Sequence, residues 1–526
     1  MKRRDFIKLI GAAGTVSFSS GCFADTAKKS SGKPNLLVIH TDEHNFRTLG
    51  CYRKLLPPEQ ALMWGSAVVQ TPHIDRLANE GALCTSFYAT SPVCSPSRAS
   101  FVSGRYPQNT PVAANNIPMD DNIVTFAEIL RRNGYATGYA GKWHLDGPPK
   151  PGWKPNRNFG FEDNRYMFNR GHWKLLNINN GKPMIGSVKG RPSYAPIGDE
   201  KTFTTDWLCD RAMEYMDAHK NKPFCYMISI PDPHGPDTVR PPYDTMFEHQ
   251  SYSQPKSAKK SEDGLPSWGQ KKMKNKGFNQ SQYYGMVKCI DDNVGKILKH
   301  LKESGLLDKT IIVFTSDHGD LRGEHGRHDK GVPYEGSARI PFIVRWPKKI
   351  KPGTVVPQAL GCTDFLPTVL SLMGVSTAGK EQGRDASKLF TDAKSPANWN
   401  DITFLRAAST SDLAWVAAVS SRYKLVYCAK DDPWFFDLEK DPDELVNNFQ
   451  NPEYRDVIRK MARALLEYGN KYDDPRIKTE QVAADLAWSI GPKEKYISTR
   501  EPFVKPDKPK KKKKNRKTRK KKNETP

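Results

Sequence analysis

Four short runs of apolar, largely β-branched residues punctuate the first two-thirds of the chain: "NLLVIH" (35–40), "FCYMISI" (224–230), "TIIVFTS" (310–316) and "PFIVRW" (341–346). Each has the length of a strand and little polar alternation, so each predicts a strand covered on both faces. Between them the period changes. From Ser281 to Gly305 the apolar residues Val287, Ile290, Val294, Ile297, Leu298 and Leu301 recur every three or four positions, the stripe of an amphipathic helix, and Gly305 supplies its stop. "NIVTFAEILRRNG" (122–134) reads the same way. Strands alternating with helices predict an α/β fold, a large and mostly parallel sheet sandwiched by helices, over residues 33–394. From about residue 395 the elements shorten. "AWVAAVSS" and "YKLVYCA" are strands at hairpin spacing, and "PEYRDVIRKMARALLEYGNKY" is an amphipathic helix. They predict a smaller C-terminal α+β subdomain, 395–498, of antiparallel strands with one packed helix.

A length of 526 residues and an apolar fraction of 37% suit two packed units, because single cores stop growing near ~250–300 residues. The net charge of +24 suggests a nucleic-acid binder until its distribution is read. Residues 505–526 hold thirteen Lys or Arg against two acids, a net +11. That segment has no hydrophobic period, so 499–526 is expected to be a disordered polybasic tail, either solubilising or an electrostatic tether to polyanions. No specific nucleic acid is implied.

The first residues join a basic start to an apolar stretch, Phe6 to Phe18, too short to span a bilayer. Arg3 and Arg4 followed by Phe6 and Lys8 resemble the twin-arginine export signal, which makes residues 1–24 a leader and the twin-arginine machinery a partner. Cleavage after Ala24 and lipidation of Cys22 are the two endings. The expected location is periplasmic or extracellular, with a membrane involved only if Cys22 is lipidated. Nine cysteines form no CxxC pair, which argues against a zinc framework and a dense disulfide scaffold.

Ligands of such sheets bind at the carboxyl ends of the strands. There "NLLVIH" runs into Thr41, Asp42 and Glu43, "FCYMISI" into His234, and "TIIVFTS" into Asp317 and His318. Converging acids would repel one another unless a cation sat among them, and oxygen ligands favour a hard ion such as calcium or magnesium. Helix capping is the competing reading of each acid taken singly. Cys94 lies in "SPVCSPSRASFVSGRYP", a run too polar for core, with Arg98 and Arg105 close by. A reactive thiol is found in such surroundings, although a buried inert one before a turn remains the alternative.

"CSPSRASFVSGR" resembles the signature of the type I, formylglycine-dependent sulfatases of the alkaline phosphatase superfamily, in which the cysteine of Cys-x-Pro-Ser-Arg is oxidised to formylglycine. "PNLLVIHTDEHNFRTLGCY", "TPHIDRLANEGALCTSFY", "YAGKWHL", "PHGP", "YYGMVKCIDDNVGKIL", "TSDHGD", "HDKGVPYEGSARIPFIVRWP" and "WFFDLEKDPDELVNN" resemble further family segments, in family order. The resemblance implies an alkaline phosphatase-like fold and sulfuric ester hydrolysis. It implies Cys94 converted to formylglycine by a maturation enzyme, and a divalent metal, calcium rather than magnesium, held by Asp42, Glu43, Cys94, Asp317 and His318. Glu43 stands where the family more often has Asp. Lys142, His144, His234 and Lys330 match groups that hold or protonate the sulfate ester, and Arg98 matches the residue steadying the formylglycine.

These residue types suit the chemistry. A sulfate monoester is anionic and its sulfur resists attack, so Lys142, Lys330 and a metal would neutralise its oxygens. A hydrated aldehyde offers one oxygen for attack and a second hydroxyl whose deprotonation expels sulfate. The resemblance gives His234, aided by Lys330, the departing alcohol to protonate and His144 the elimination to promote. The segment 146–199, rich in Arg, Asn and aromatic residues, suits sugars, and Arg165, Arg170 and His172 are its expected substrate-binding groups, the two arginines for additional anions. A sulfated carbohydrate is the expected substrate. A phosphate or phosphonate ester hydrolase on the same fold, and a non-catalytic polyanion-binding protein, are the competing functions.

Overall fold

The computed structural model describes residues 32–500 apart from 260–263, 271–277, 393–398, 409–410, 412, 493–494 and 499. The leader expected over 1–24 and the basic run from Lys505 lie outside the described residues. Eight strands form one sheet: β1 (Asn35–Asp42), β2 (Ala82–Cys84), β3 (Ala136–Lys142), β4 (Asp163–Phe168), β5 (Phe224–Pro233), β6 (Thr310–Ser316), β7 (Phe342–Arg345) and β8 (Thr354–Val356). Their order across the sheet is β8-β2-β7-β6-β1-β5-β3-β4. All pairings are parallel except those of β7, which runs against β6 and β2. The apolar run of β7 announced a buried strand but not its direction.

Side chains of β1 alternate between two cores, Leu36 and Val38 facing one and Leu37 and Ile39 the other. On the first face lie the helices α1 (Cys94–Ser103), α2 (Phe126–Arg132) and, later in the chain, α5 (Cys362–Met373), which contribute Phe101, Phe126 and Phe365. On the second lie α3 (Thr204–His219) and α4 (Gln280–Glu303), with Trp207, Leu208, Ile290, Val294 and Leu298. Asn279 caps α4 by accepting from the backbone N–H groups of Ser281 and Gln282. Both faces are therefore covered, as continuous apolar strands require. Where β3 meets β5, a Cβ on Gly141 would stand 1.9 Å from the carbonyl oxygen of Ser229, and its φ is +102°. Only glycine fits there, and it immediately precedes Lys142.

The C-terminal sheet is antiparallel with four strands, β9 (Thr403–Arg406), β10 (Trp415–Val419), β11 (Tyr423–Cys428) and β12 (Asp431–Asp437). Two helices accompany it, α6 (Arg455–Lys471) and α7 (Glu480–Ile490), where one was expected. The second buries only Val482 and Leu486 as large apolar residues, too thin a stripe to stand out in the sequence. Arg500, expected within the disordered tail, is instead 2.5 Å from Asp485 and 8% exposed at its side chain. The sheet grips the large unit: Lys424 Nζ donates to Pro333 O (2.7 Å), Glu335 (2.8 Å) and Glu444 (2.7 Å), and Trp415 Nε1 donates to Gly331 O (3.2 Å). Among the described residues no helix is long and apolar enough to cross a membrane.

Candidate active site

The parallel strands end at one edge. Asp42 closes β1, Lys142 closes β3, His234 follows β5, and Asp317 and His318 follow β6. Cys94 opens α1 there, so the positive end of the helix faces its sulfur. Its Sγ lies 3.2 Å from His318 Nε2 and 3.9 Å from Asp42 Oδ1. One turn on, Arg98 donates from Nε to Asp317 Oδ2 (2.9 Å), from one terminal nitrogen to Asp42 Oδ2 (3.1 Å), and from the other to Ser229 Oγ (2.7 Å) and Lys142 O (2.8 Å). Lys142 Nζ also bonds the Asp42 carboxylate. Burial opposes charge on Asp42, yet Lys142 and Arg98 hold its carboxyl well below the usual range.

Asp42, Cys94, Asp317 and His318 bring one ligand atom each within 4.8 Å of one another, all buried. His318 Nδ1 donates to Gly319 O (3.0 Å), which turns Nε2 toward Cys94 and the carboxylates. Burial opposes charge on the ring, yet Asp317 and Cys94 raise it above the ordinary histidine range, and a cation bound there would take the place of the Nε2 proton. Two carboxylates and an oriented imidazole fit a divalent cation. Glu43, expected among the ligands, lies outside this group. Its backbone is left-handed (φ 65°), and its carboxyl group is turned to Lys330 Nζ (2.8 Å), whose ammonium donates to it, while His234 Nε2 lies 3.1 Å away.

A second cluster joins the first. His234 Nε2 accepts from Lys330 Nζ (2.9 Å), and His172 Nε2 accepts from Lys142 Nζ (2.8 Å). The two imidazoles stack at 3.6 Å between centroids and 6° between planes. Burial, followed by the Lys330 charge, holds His234 well below the ordinary histidine range. His172 is lowered likewise, by burial and then by His234 and Lys142. Burial opposes charge on Lys330 too, but Glu43 and Cys94 keep its ammonium well above the usual lysine range. His144, at φ 63°, points Nε2 at Asn116 Oδ1 (3.2 Å). Its Nδ1 is buried with no hydrogen-bond partner. Burial, then Lys142, Arg98 and Arg170 push it down to about 2, so the ring is neutral.

Eight cysteines are described, all buried. Burial raises seven of them. At Cys94 burial is overcome by Lys142, Lys330 and His318, and the thiol comes down to about 6.

The sequence-predicted residues Asp42, Cys94, Arg98, Lys142, His144, His172, His234, Asp317, His318 and Lys330 thus gather at one place, with Arg170 near His144. Arg165 does not join them. It lies on β4, 65% exposed, with Nε and a terminal nitrogen taken by Asp163 (2.9 and 2.7 Å). His325 stacks on Tyr334 and His328 on Phe278, both as packing. Ser229 and Asn116 were missed, the first a lone hydroxyl inside an apolar run and the second in a loop without any period.

The sulfatase family model matches residues 34–375, and that of the N-sulphoglucosamine sulphohydrolase C-terminal region matches 323–471. An N-acetylglucosamine-6-O-sulfatase of Bacteroides thetaiotaomicron is 27% identical over 86% of this chain and 89% of its own. A protein solved in complex with its substrate D-glucosamine-2-N,6-O-disulfate has the same fold, at 23% identity and a TM-score of 0.69 over 85% of this chain and 100% of the other. So has a phosphonate monoester hydrolase of Agrobacterium radiobacter, at 22% identity and a TM-score of 0.65 over 85% and 97%. Since the matched segment runs from just before β1 to the end of α5, and so holds every residue of both clusters, this chain belongs to the sulfatase family, the hydrolases of sulfuric esters.

Proposed function

We propose that the chain removes sulfate from a sulfated glycan, with Asp42, Asp317, His318 and position 94 holding a calcium ion and Arg98, Lys142, His144, His234 and Lys330 serving the reaction. The observation that carries this reading is the reversal at Cys94. One buried thiol among eight is drawn toward the anion by two lysines and a histidine, at the end of the sheet where the carboxylates converge. Sulfatases generally use a metal and a formylglycine. Bound at these ligands, the metal would withdraw charge from the sulfate oxygens, and the formylglycine hydrate would supply the attacking oxygen.

The chain's own groups do the rest. Lys142 and Lys330, 0% and 12% exposed at their side chains, bring two ammonium charges to the anionic ester. With His234 Nδ1 donating to Gly235 O (2.8 Å), its Nε2 has no proton of its own, and the proton available to the departing alcohol sits on Lys330, 2.9 Å away. His234 therefore passes on or steadies that proton. His144 is neutral and its Nδ1 is free, so it accepts the proton that must leave position 94 before sulfate is released. Arg98 fixes both metal-side carboxylates and the strand carrying Lys142. The glycan is supported by the named activity of the Bacteroides relative, and export by the twin-arginine-like start. A maturation enzyme would then be a required partner.

Turnover of 4-nitrophenyl sulfate by protein co-produced with a maturation enzyme tests the reading. Cys94→Ala should abolish it with the fold retained by circular dichroism, and intact mass should show the loss at Cys94 that aldehyde formation leaves. Full activity of the variant, or faster turnover of 4-nitrophenyl phosphate than of the sulfate, would refute it.

A further inference from the structure

Cations around the reacting centre are matched by acids. Arg98 meets Asp42 and Asp317, Lys142 meets Asp42, Lys330 meets Glu43 and Asp329, and Lys174 meets Asp232. At the rim this matching stops. Arg170 follows Asn169, whose carbonyl accepts from the His144 backbone N–H (2.7 Å), so it stands beside that histidine. Half-buried, it donates from a terminal nitrogen to Pro148 O (2.9 Å) and pairs with no carboxylate among the described residues. Its own carbonyl accepts from Trp173 Nε1 (3.1 Å), which anchors its backbone. Lys150 has no acid partner among the described residues either. Its Nζ lies over two rings, 4.7 Å from the centroid of Tyr194 and 5.4 Å from that of Trp173. Tyr194 in turn is 6.2 Å from the ring of His172, the imidazole bonded to Lys142. A path of side chains thus leads from the centre to two uncompensated positive charges with aromatic faces between.

A guanidinium with donors unspent and an ammonium on an aromatic wall form a receptor for an anion borne by a sugar. We propose that Arg170 and Lys150 bind a second anionic group of the glycan, a sulfate or a carboxylate other than the one hydrolysed. The substrate is then a sugar chain carrying at least two negative groups close together. This rests on the sulfatase reading above and adds to it which sulfated sugars are accepted.

The full-length matured enzyme, with Arg170→Ala, Lys150→Ala and Arg170→Lys beside it, would be assayed on 4-nitrophenyl sulfate and on a panel of pure sulfated mono- and disaccharides. The panel includes N-acetylglucosamine 6-O-sulfate, D-glucosamine-2-N,6-O-disulfate and uronate-containing disaccharides. The best glycan substrate should carry a second anion, and members bearing a sulfate or a uronate there tell which. For that substrate the Arg170→Ala variant should lower the ratio of its kcat/KM to that of the aryl sulfate by about ten- to hundredfold, mainly through KM, the worth of a charged hydrogen bond. Arg170→Lys should recover part of the ratio. A best substrate whose only negative group is the scissile sulfate, or an unchanged ratio, would overturn the inference while leaving the sulfatase reading standing. A wild-type enzyme that cleaves no sulfate ester would remove the reading itself, and this inference with it.

Discussion

Asp42 and Asp317 share one guanidinium, and this decides what a change at either would do. Asp317→Asn removes a charged ligand and one of the two acids that compensate Arg98, without changing the shape of the site. Metal affinity should fall by more than the roughly tenfold that loss of a supporting outer partner costs. Isothermal titration with calcium after chelation measures this directly. If neither chelator nor substitution moves the rate or the affinity, the two acids are helix-end caps and the metal assignment fails. At this scale most of the site is legible in the sequence, because Cys94 and Arg98 are four residues apart in one signature, Asp42, His234, Asp317 and His318 follow apolar strands, and Lys142, His144 and Lys330 stand in the family segments "YAGKWHL" and "HDKG". Glu43 is not, since the left-handed turn of its backbone, rather than its place beside Asp42, aims its carboxylate at Lys330. Arg165 carries the charge expected of a substrate-binding group, but Asp163, two residues before it, satisfies that charge. Lys150 and Asn116 belong to irregular segments where no pattern marks one polar residue above its neighbours.

Strands β1, β5 and β6 and helix α4 are read from sequence to within a few residues, because burial on both faces or on one stripe writes itself into the order of apolar residues. Direction does not. β7 runs antiparallel to β6 after the long connection 317–341, which carries no apolar period to announce that direction and closes with the helical turn Glu335–Ala338. That turn depends on β11. Lys424, 0% exposed at its side chain, bonds Glu335 and Glu444 together, so Lys424→Met would leave two buried acids facing each other. Removing one partner of a buried ion pair costs about 3–5 kcal/mol. A fall of that size should appear in urea unfolding, accompanied by a loss of kcat, because Lys330 lies five residues before Glu335. Unchanged stability would mean that the two acids are held protonated and do not need the lysine.

For the whole molecule, charge and catalysis are separable. Every residue of the two clusters falls between Asp42 and Lys330, whereas the net +11 of residues 505–526 lies at the far end of the chain. Deleting 505–526 should leave 4-nitrophenyl sulfate turnover nearly unchanged and slow desulfation of a sulfated polymer at low salt only, since added salt shortens the Debye length from ~10 Å at 0.1 M to ~3 Å at 1 M. Equal loss on both substrates at all salt concentrations would show the segment to be structural. The grip of the C-terminal sheet on residues 331–335 also has a meaning in time. Chains are made from the amino end, and their domains generally fold in that order. The carboxylates, Cys94 and its arginine are all synthesised before β9 to β12 exist, but the segment that presents Lys330 has its clamp only once Trp415 and Lys424 have arrived. On the roles proposed above, the site is therefore assembled last at the corner that protonates the alcohol, and a nascent or truncated chain would display the converging carboxylates and Cys94 while still unable to release an alcohol.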